Sequence, residues 1–193
     1  MEKNSRSIMI KKIVIIGPES TGKSTLCKEL AEHYGTAWCP EYARTYLHEH
    51  GTHYTFDDLL TIAKGQVAFE DQALQQLEEK KRKQHETNKV WPLFIDTDMY
   101  VMKVWCEFVF KKCHRFILEQ IVQRHYDHYL LCNTDLPWVK DELREYPDLA
   151  TREKLFYLYK DCMIHQSTPW TLISGAETDR LQQAIKAIDP LLR

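Results

Sequence analysis

The chain has 193 residues, enough for one well-buried domain and short for two, so a single domain over 1–193 is expected. A hydrophobic share of 44% with 28% charged residues excludes a disordered or membrane-embedded chain, and a formal charge of -2 argues against the broad basic surface that holds nucleic acid. Six cysteines without a leader segment or a CxxC pair predict free thiols in a reducing, cytoplasmic protein, and no apolar run is long enough to span a membrane.

The first predicted element is a strand over Lys12–Ile16, an unbroken Ile/Val run of the kind covered on both faces. It runs straight into GPESTGKST at 17–25, and a helix is predicted from Lys23 to about Tyr34. Gly17, Gly22, Lys23 and Ser24 satisfy G-x-x-x-x-G-K-[ST] in the strand–loop–helix setting which that pattern needs. Glycines let the chain wrap tightly, so backbone N–H groups along Gly17, Glu19, Ser20, Thr21 and Gly22 are expected to face phosphate oxygens, with a helix dipole behind them. Lys23 is placed for the β- and γ-phosphates, the Ser24 hydroxyl for a magnesium ion and Thr25 for the α-phosphate. A glycine-rich turn that merely joins strand to helix is the competing reading; the complete pattern in its proper setting disfavours it.

TAWC at 36–39 predicts a short second strand stopped by Pro40, and EYAR at 41–44 opens another helix. A long helix is predicted from Asp57 and Asp58 to about Gln84, on the spacing of Leu59, Ile62, Ala63, Val67, Leu74 and Leu77, with Gly65 counting against it. Its end, EEKKRKQH at 78–85, reads as a solvated helix terminus with Glu78–Arg82 and Glu79–Lys83 pairs. LFIDTD at 93–98 predicts a buried strand ending in acids, and a helical pattern follows from Tyr100 to about Gln123. YLLC at 129–132 and WTLIS at 170–174 are further strands; Arg152–His165 and Asp179–Ile188 are helices. Between them, a polar stretch carrying Pro137 and Pro147 has no periodicity and is expected to form a mobile lid over about 133–152. Strands alternating with helices predict an α/β fold: a mostly parallel five-stranded sheet with helices on both faces, in the manner of P-loop nucleoside and nucleotide kinases.

Three activities share such a phosphate loop. A GTPase needs a guanine-reading element, but the candidate place reads CNTDLPW from Cys132 and has no lysine. A motor usually puts a water-polarising glutamate directly after the strand-ending acid, whereas Asp96 is followed by Thr97 and Asp98. Transfer to an acceptor hydroxyl is therefore favoured. Phosphoryl transfer asks mainly for position and charge compensation. Asp96, at a strand end, suits a magnesium ion, with a helix N-cap as its competing role. Glu41 is a candidate base for the acceptor proton, and Arg44 a candidate for phosphate or an acceptor oxygen; an i,i+3 surface pair is the alternative for both. Asp98 is the second candidate base. Arg144 and Arg152 lie in or beside the lid, where closure would bring them onto phosphate. No zinc site is expected, because neither HExxH nor paired CxxC spacing occurs.

GPESTGKST at 17–25, EYAR at 41–44, DTD at 96–98 with KVW at 103–105, and PWVKDELR at 137–144 together resemble the ribosylnicotinamide kinase domain of the NadR type. That resemblance implies phosphorylation of the ribose 5′-hydroxyl of nicotinamide riboside by ATP with Mg2+, giving nicotinamide mononucleotide for NAD synthesis. It makes PWVKDELR the lid, with Arg144 and Arg152 on phosphates and Asp141 at the family's acidic position; Glu142 stands where members often have glycine. NadR proteins of some lineages also carry nucleotidyltransferase and DNA-binding domains; with only about a dozen residues before the phosphate-loop strand, the kinase unit alone is expected here, and the charge and short apolar runs predict no nucleic-acid or membrane partner. A nicotinamide ring is a flat cation that suits an aromatic face, and Tyr42, Tyr100, Trp105 and Trp138 are the candidates, each with core packing as the alternative.

Overall fold

Ile13 and Ile15 belong to one side of the first strand, Val14 and Ile16 to the other, and all four are fully buried. A strand apolar on both faces can only lie in the middle of a covered sheet. The structure, a computed structural model, describes residues 8–86 and 88–193 and shows this arrangement. Strand β1 (Met9–Ile16) is central, between β3 (Val90–Asp96) and β4 (His128–Cys132); β2 (Ala37–Cys39) and β5 (Trp170–Ile173) lie at the edges. Every pairing is parallel, in the order β2-β3-β1-β4-β5.

Helices α1 (Lys23–Tyr34) and α7 (Glu177–Ile188) cover the face that carries Ile13, Ile15, Phe94 and Leu130. On the other face α3 (Phe56–Lys83), α4 (Met99–Phe110) and α6 (Leu149–Ile164) bury Val14, Ile16, Ile95 and Leu131. A third cluster lies off the sheet, where α2 (Tyr42–His50) and α5 (Arg115–Gln123) pack on α3 and α4 through Ala43, Leu47, Ile62, Met102 and Ile117. Because β1 is flanked on both sides, the loops after β1, β2, β3 and β4 leave one carboxyl edge together, where open α/β sheets gather ligands.

The elements follow the predicted ones, including α3 through Gly65, and differ from them in detail. The helical pattern from Tyr100 to Gln123 is two helices, because Lys111 turns left-handed at φ 58° and ends α4. Helix α3 runs unbroken through Gly65, which is there for packing: a β-carbon would come within 2.1–2.5 Å of the Tyr42 ring. The basic end of α3 is not wholly solvated; Lys81 is buried, its ammonium 3.2 Å from the centre of the Trp91 ring and 3.2 Å from the Gly35 carbonyl. Neither Glu78–Arg82 nor Glu79–Lys83 forms an ion pair among the described residues, and Glu79 accepts from Gln75 instead. Finally, the segment without regular structure ends at Asp148, whose carboxylate caps α6 at the Thr151 N–H (2.7 Å), so Arg152 is helical. All six cysteines are free, and among the described residues no helix is long and apolar enough to cross a membrane.

Candidate active site

The loop after β1 is shaped by close approach. Gly17 has φ 142°, and a β-carbon there would lie 2.7 Å from the Cys132 carbonyl oxygen of β4. Gly22, at φ 75°, starts α1. Within the loop, the Thr21 hydroxyl donates to the Pro18 carbonyl (2.7 Å) and the Lys23 ammonium to the same oxygen (2.9 Å). Buried Arg180 of α7 ties the loop to its neighbours: its guanidinium donates to the carbonyls of Thr21 (2.9 Å), Gly175 (2.9 Å) and Asn133 (3.0 Å) and pairs with Asp135. Arg180 thus fastens the ends of β1, β4 and β5 to one another. Sequence reasoning missed it, since a lone arginine in a closing helix carries no motif.

The acids come from β2 and β3. Asp96, 1% exposed, accepts from the Ser24 hydroxyl at 2.5 Å through Oδ2, while its Oδ1 is buried without a partner. Thr97 then turns at φ 80°, a left-handed conformation that costs a β-branched residue about 1–3 kcal/mol. This turn separates the two acids: Asp96 faces Ser24, and Asp98 caps α4. Glu41 begins α2 and lines the same cavity as Lys23. Its approach to Asp96 is set by Gln66, a buried amide of α3 that accepts from the Tyr42 N–H (2.7 Å) and donates towards the carbonyls of Pro40 and Asp96 (3.4 Å each). Gln66 was also unforeseen; its only sequence signal is a polar residue on the apolar face of α3, in step with Ile62 and Ala63.

Burial raises the pKa of Glu41, Asp96 adds to the rise by like charge, and Lys23, Arg44 and the Thr97 hydroxyl pull it back. Burial likewise raises Asp96, against Lys23, the Ser24 hydrogen bond and Arg44. Two mutually repelling carboxylates beside one lysine are a site that gains from a further positive charge. The unpartnered Asp96 Oδ1 next to the Ser24 hydroxyl is the donor set a magnesium ion takes, a hard cation served by oxygen ligands. Among the described residues no cluster of three His, Cys, Asp or Glu forms.

The cavity, about 200 Å³, is lined by residues 17–25 together with Glu41, Arg44, Trp105 and Arg144. The other predicted residues lie elsewhere. Asp98 does not line the cavity: Oδ1 accepts from the N–H groups of Tyr100 (2.9 Å) and Val101 (3.3 Å), and Oδ2 from the Tyr129 hydroxyl (2.8 Å). Burial raises its pKa to about 7 despite these three donors. As a base for the acceptor it is corrected to a buried helix cap, because both oxygens are committed. Tyr42 packs on Gly65 and edge-on to Phe69 (4.8 Å), and Tyr100 packs on Tyr129 (6.0 Å), so both are partly buried against the core and neither lines the cavity. Trp138 lies in the lid with its Nε1 3.5 Å from Glu19 Oε1. Of the four predicted aromatics only Trp105 faces the cavity, where Phe108, Tyr146 and Tyr159 join it. Val101, Trp105 and Phe108 recur at helical spacing on α4, a signal the sequence did contain.

The lid, 133–148, is docked on the cavity. Asp141 pairs with Arg44 at 2.6 Å, and the Leu143 N–H and then Arg44 lower its pKa. Arg144 lines the cavity and donates to the Val139 carbonyl. Arg152 is 5% exposed, on the face of α6 shared with the cavity residues Leu155 and Tyr159, and its Nε and Nη1 have no partner. A buried guanidinium with free N–H groups is costly unless an anion meets it. Glu19 is part of the phosphate loop, where the backbone N–H is the expected contact; its side chain turns to the lid and accepts from the N–H groups of Glu145 (2.9 Å) and Tyr146 (2.5 Å).

Solved structures with a similar fold include NadR and nucleotide kinases. The fold matches NadR in complex with NR (TM-score 0.69, 19% identity, 96% of this chain and 50% of that one) and NadR in complex with NAD and AMP-PNP (TM-score 0.66, 19% identity, 94% and 49%). It also matches thymidylate kinase from Ehrlichia chaffeensis (TM-score 0.61, 12% identity, 95% and 99%). The fold is therefore that of P-loop nucleoside and nucleotide kinases. In sequence the chain is similar to the trifunctional NAD biosynthesis/regulator protein NadR of Salmonella typhimurium strain LT2 (27% identity) and of Escherichia coli strain K12 (29%), each over 178 residues and 90% of this chain. It spans about 40% of the length of these curated relatives. The profile of the AAA domain family matches residues 12–180, and the chain belongs to that family.

Proposed function

We propose that the chain is an ATP-dependent kinase that phosphorylates the ribose 5′-hydroxyl of nicotinamide riboside to nicotinamide mononucleotide. One observation carries the reading: Lys23 and Glu41 line one cavity together with Trp105, Phe108 and Tyr146, and Ser24 of the same lining bonds Asp96. Similarity to NadR, named for NAD biosynthesis, and the NR and AMP-PNP complexes of NadR structures support the choice of acceptor and donor.

On this reading residues 8–193 act as one kinase domain with 133–148 as its lid. The phosphate tail lies along the loop amides, and Lys23 exchanges the Pro18 carbonyl for phosphate oxygens. Ser24 and Asp96 would hold Mg2+, which supplies charge neutralisation on the transferring group. Glu41 receives the proton of the 5′-hydroxyl as its oxygen bonds to the γ-phosphorus and the bond from that phosphorus to the β-phosphate bridging oxygen breaks; ADP leaves with the bridging oxygen. Arg144 and Arg152 compensate charge on the transferring phosphoryl. Trp105, Phe108 and Tyr146 offer faces to a pyridinium ring.

A second reading, a kinase for a different nucleoside, is favoured by the shared fold with thymidylate kinase and deoxyadenosine kinase. Purified protein with ATP and Mg2+ should be offered a panel of nucleosides, with phosphorylated products read by mass. Nicotinamide riboside should be the preferred acceptor. Faster turnover of another nucleoside supports the second reading, and no product from any acceptor ends both.

A further inference from the structure

Glu19 is an unexpected residue for a loop that collects anions, since a carboxylate beside a triphosphate adds like-charge repulsion. Its side chain resolves the conflict by turning away. Oε2 accepts from the Glu145 N–H at 2.9 Å, Oε1 from the Tyr146 N–H at 2.5 Å, and the Trp138 Nε1 lies 3.5 Å from Oε1. Two successive amides of the lid thus converge on one carboxylate, an anion nest filled by a side chain rather than by a ligand. Ser20, held left-handed at φ 56°, adds a second fastening: its hydroxyl accepts from the Val139 N–H (3.0 Å) and donates towards the Pro137 carbonyl (3.5 Å).

The lid residues so fastened are themselves walls of the cavity. Glu145 and Tyr146 line it. The Glu145 carboxylate accepts from the Tyr54 hydroxyl at 3.0 Å, and that hydroxyl accepts from Trp105 Nε1 at 2.9 Å. A continuous path of hydrogen bonds therefore runs from the phosphate loop through Glu19 and the lid to the aromatic end of the cavity.

We propose that Glu19 is a positioning residue, through which the phosphate loop sets the lid wall of the acceptor end. Its side chain is turned to the lid and acts through Glu145 and Tyr146, so losing it weakens acceptor binding more than donor binding. The kinetic part rests on the proposed kinase reading; the structural part does not.

The test measures amide hydrogen exchange and steady-state kinetics on the wild type, Glu19→Ala, Glu19→Gln and Ser20→Ala. Exchange at Glu145 and Tyr146 should quicken about tenfold in Glu19→Ala, with the α1 amides unchanged, and less in Glu19→Gln, which keeps one acceptor oxygen. Ser20→Ala should quicken exchange at Val139 and serves as the check should Glu19→Ala fold poorly. The acceptor KM should rise about tenfold in Glu19→Ala, well beyond any rise in the ATP KM, and Glu19→Gln should recover part of it. Unaltered exchange at 145 and 146, or a fall in kcat with the acceptor KM unmoved, overturns the role. If the wild type turns over no nucleoside, the kinase reading falls, while exchange still decides whether Glu19 holds the lid.

Discussion

The phosphate loop and the lid face each other across one cavity, yet they are built in opposite ways. The loop closes on itself at its centre: Thr21 and Lys23 both bond the Pro18 carbonyl, and the Leu26 N–H starts the helix on Gly22. The lid has little of its own, a turn at Asp141 and the Arg144–Val139 contact, and is held by Glu19, Ser20, Arg44, Tyr54 and, at its start, Arg180 and Gly175 from elsewhere in the chain. Chemistry placed on the loop is intrinsic to a short sequence. What the lid contributes depends on its partners, so changes at the loop groups that face phosphate should act on rate, and changes at the lid or at the loop side chains that hold it should act on binding.

The sharpest test of that contrast is Lys23→Ala. Loss of a charge that acts on the transferring phosphoryl should lower kcat about a thousandfold. The fold should survive, because the Lys23 ammonium hydrogen-bonds a loop carbonyl and the Glu41 and Asp96 carboxyls whose charge it offsets can take up protons instead. An undiminished kcat would remove the loop from the chemistry. Next is Glu41→Gln, with a loss of about a hundredfold or more for a general base. Because burial and Asp96 raise the Glu41 pKa, the base form is lost at a higher pH than for an ordinary carboxylate. The acid limb of kcat/KM should therefore lie above the usual glutamate range and vanish in Glu41→Gln.

Asp98→Asn supplies the control. Asparagine can cap α4 through Oδ1 and donate to the Tyr129 hydroxyl, so turnover should fall less than about threefold. Its effect is on stability. The native carboxyl keeps its proton to about pH 7, and the unfolded one loses it near pH 4, so between these values the native state binds more protons and wild-type stability falls as pH rises. The stability of Asp98→Asn relative to wild type should increase across that window, by at most about 4 kcal/mol, read by denaturant unfolding at pH 4, 6 and 8. A flat difference would show that Asp98 is not held protonated.

These placements show how much the sequence disclosed. The parallel sheet, α1 and the phosphate loop follow from an apolar run and a fixed spacing, which are local signals. Asp96 was visible as an acid at a strand end. The different fate of Asp98 was not, because it depends on Thr97 turning left-handed and on Tyr129 thirty-one residues away. Gly65 counted against a helix on propensity, when the need to seat Tyr42 on the helix backbone decides its identity. Gln66, Arg180 and the Glu19 fastening are all made of long-range hydrogen bonds, for which no period or motif stands.

The smallest expected effect tests whether the two regions are joined through Arg44. Its guanidinium pairs with Asp141 of the lid and also lowers the pKa of Glu41 and Asp96. The ion pair is partly exposed, with side chains 41% and 25% accessible, so a double-mutant cycle of Arg44→Ala and Asp141→Ala should give a coupling of about 1 kcal/mol or less in acceptor binding. The pH profile separates the two partners. Arg44→Ala removes a cation that favours ionised Glu41, so the acid limb of kcat/KM should move to higher pH. Asp141→Ala leaves that cation in place and frees it from the lid, so the limb should stay or move slightly lower. Equal displacement by both changes would mean that the lid reaches the catalytic acids by a route other than Arg44.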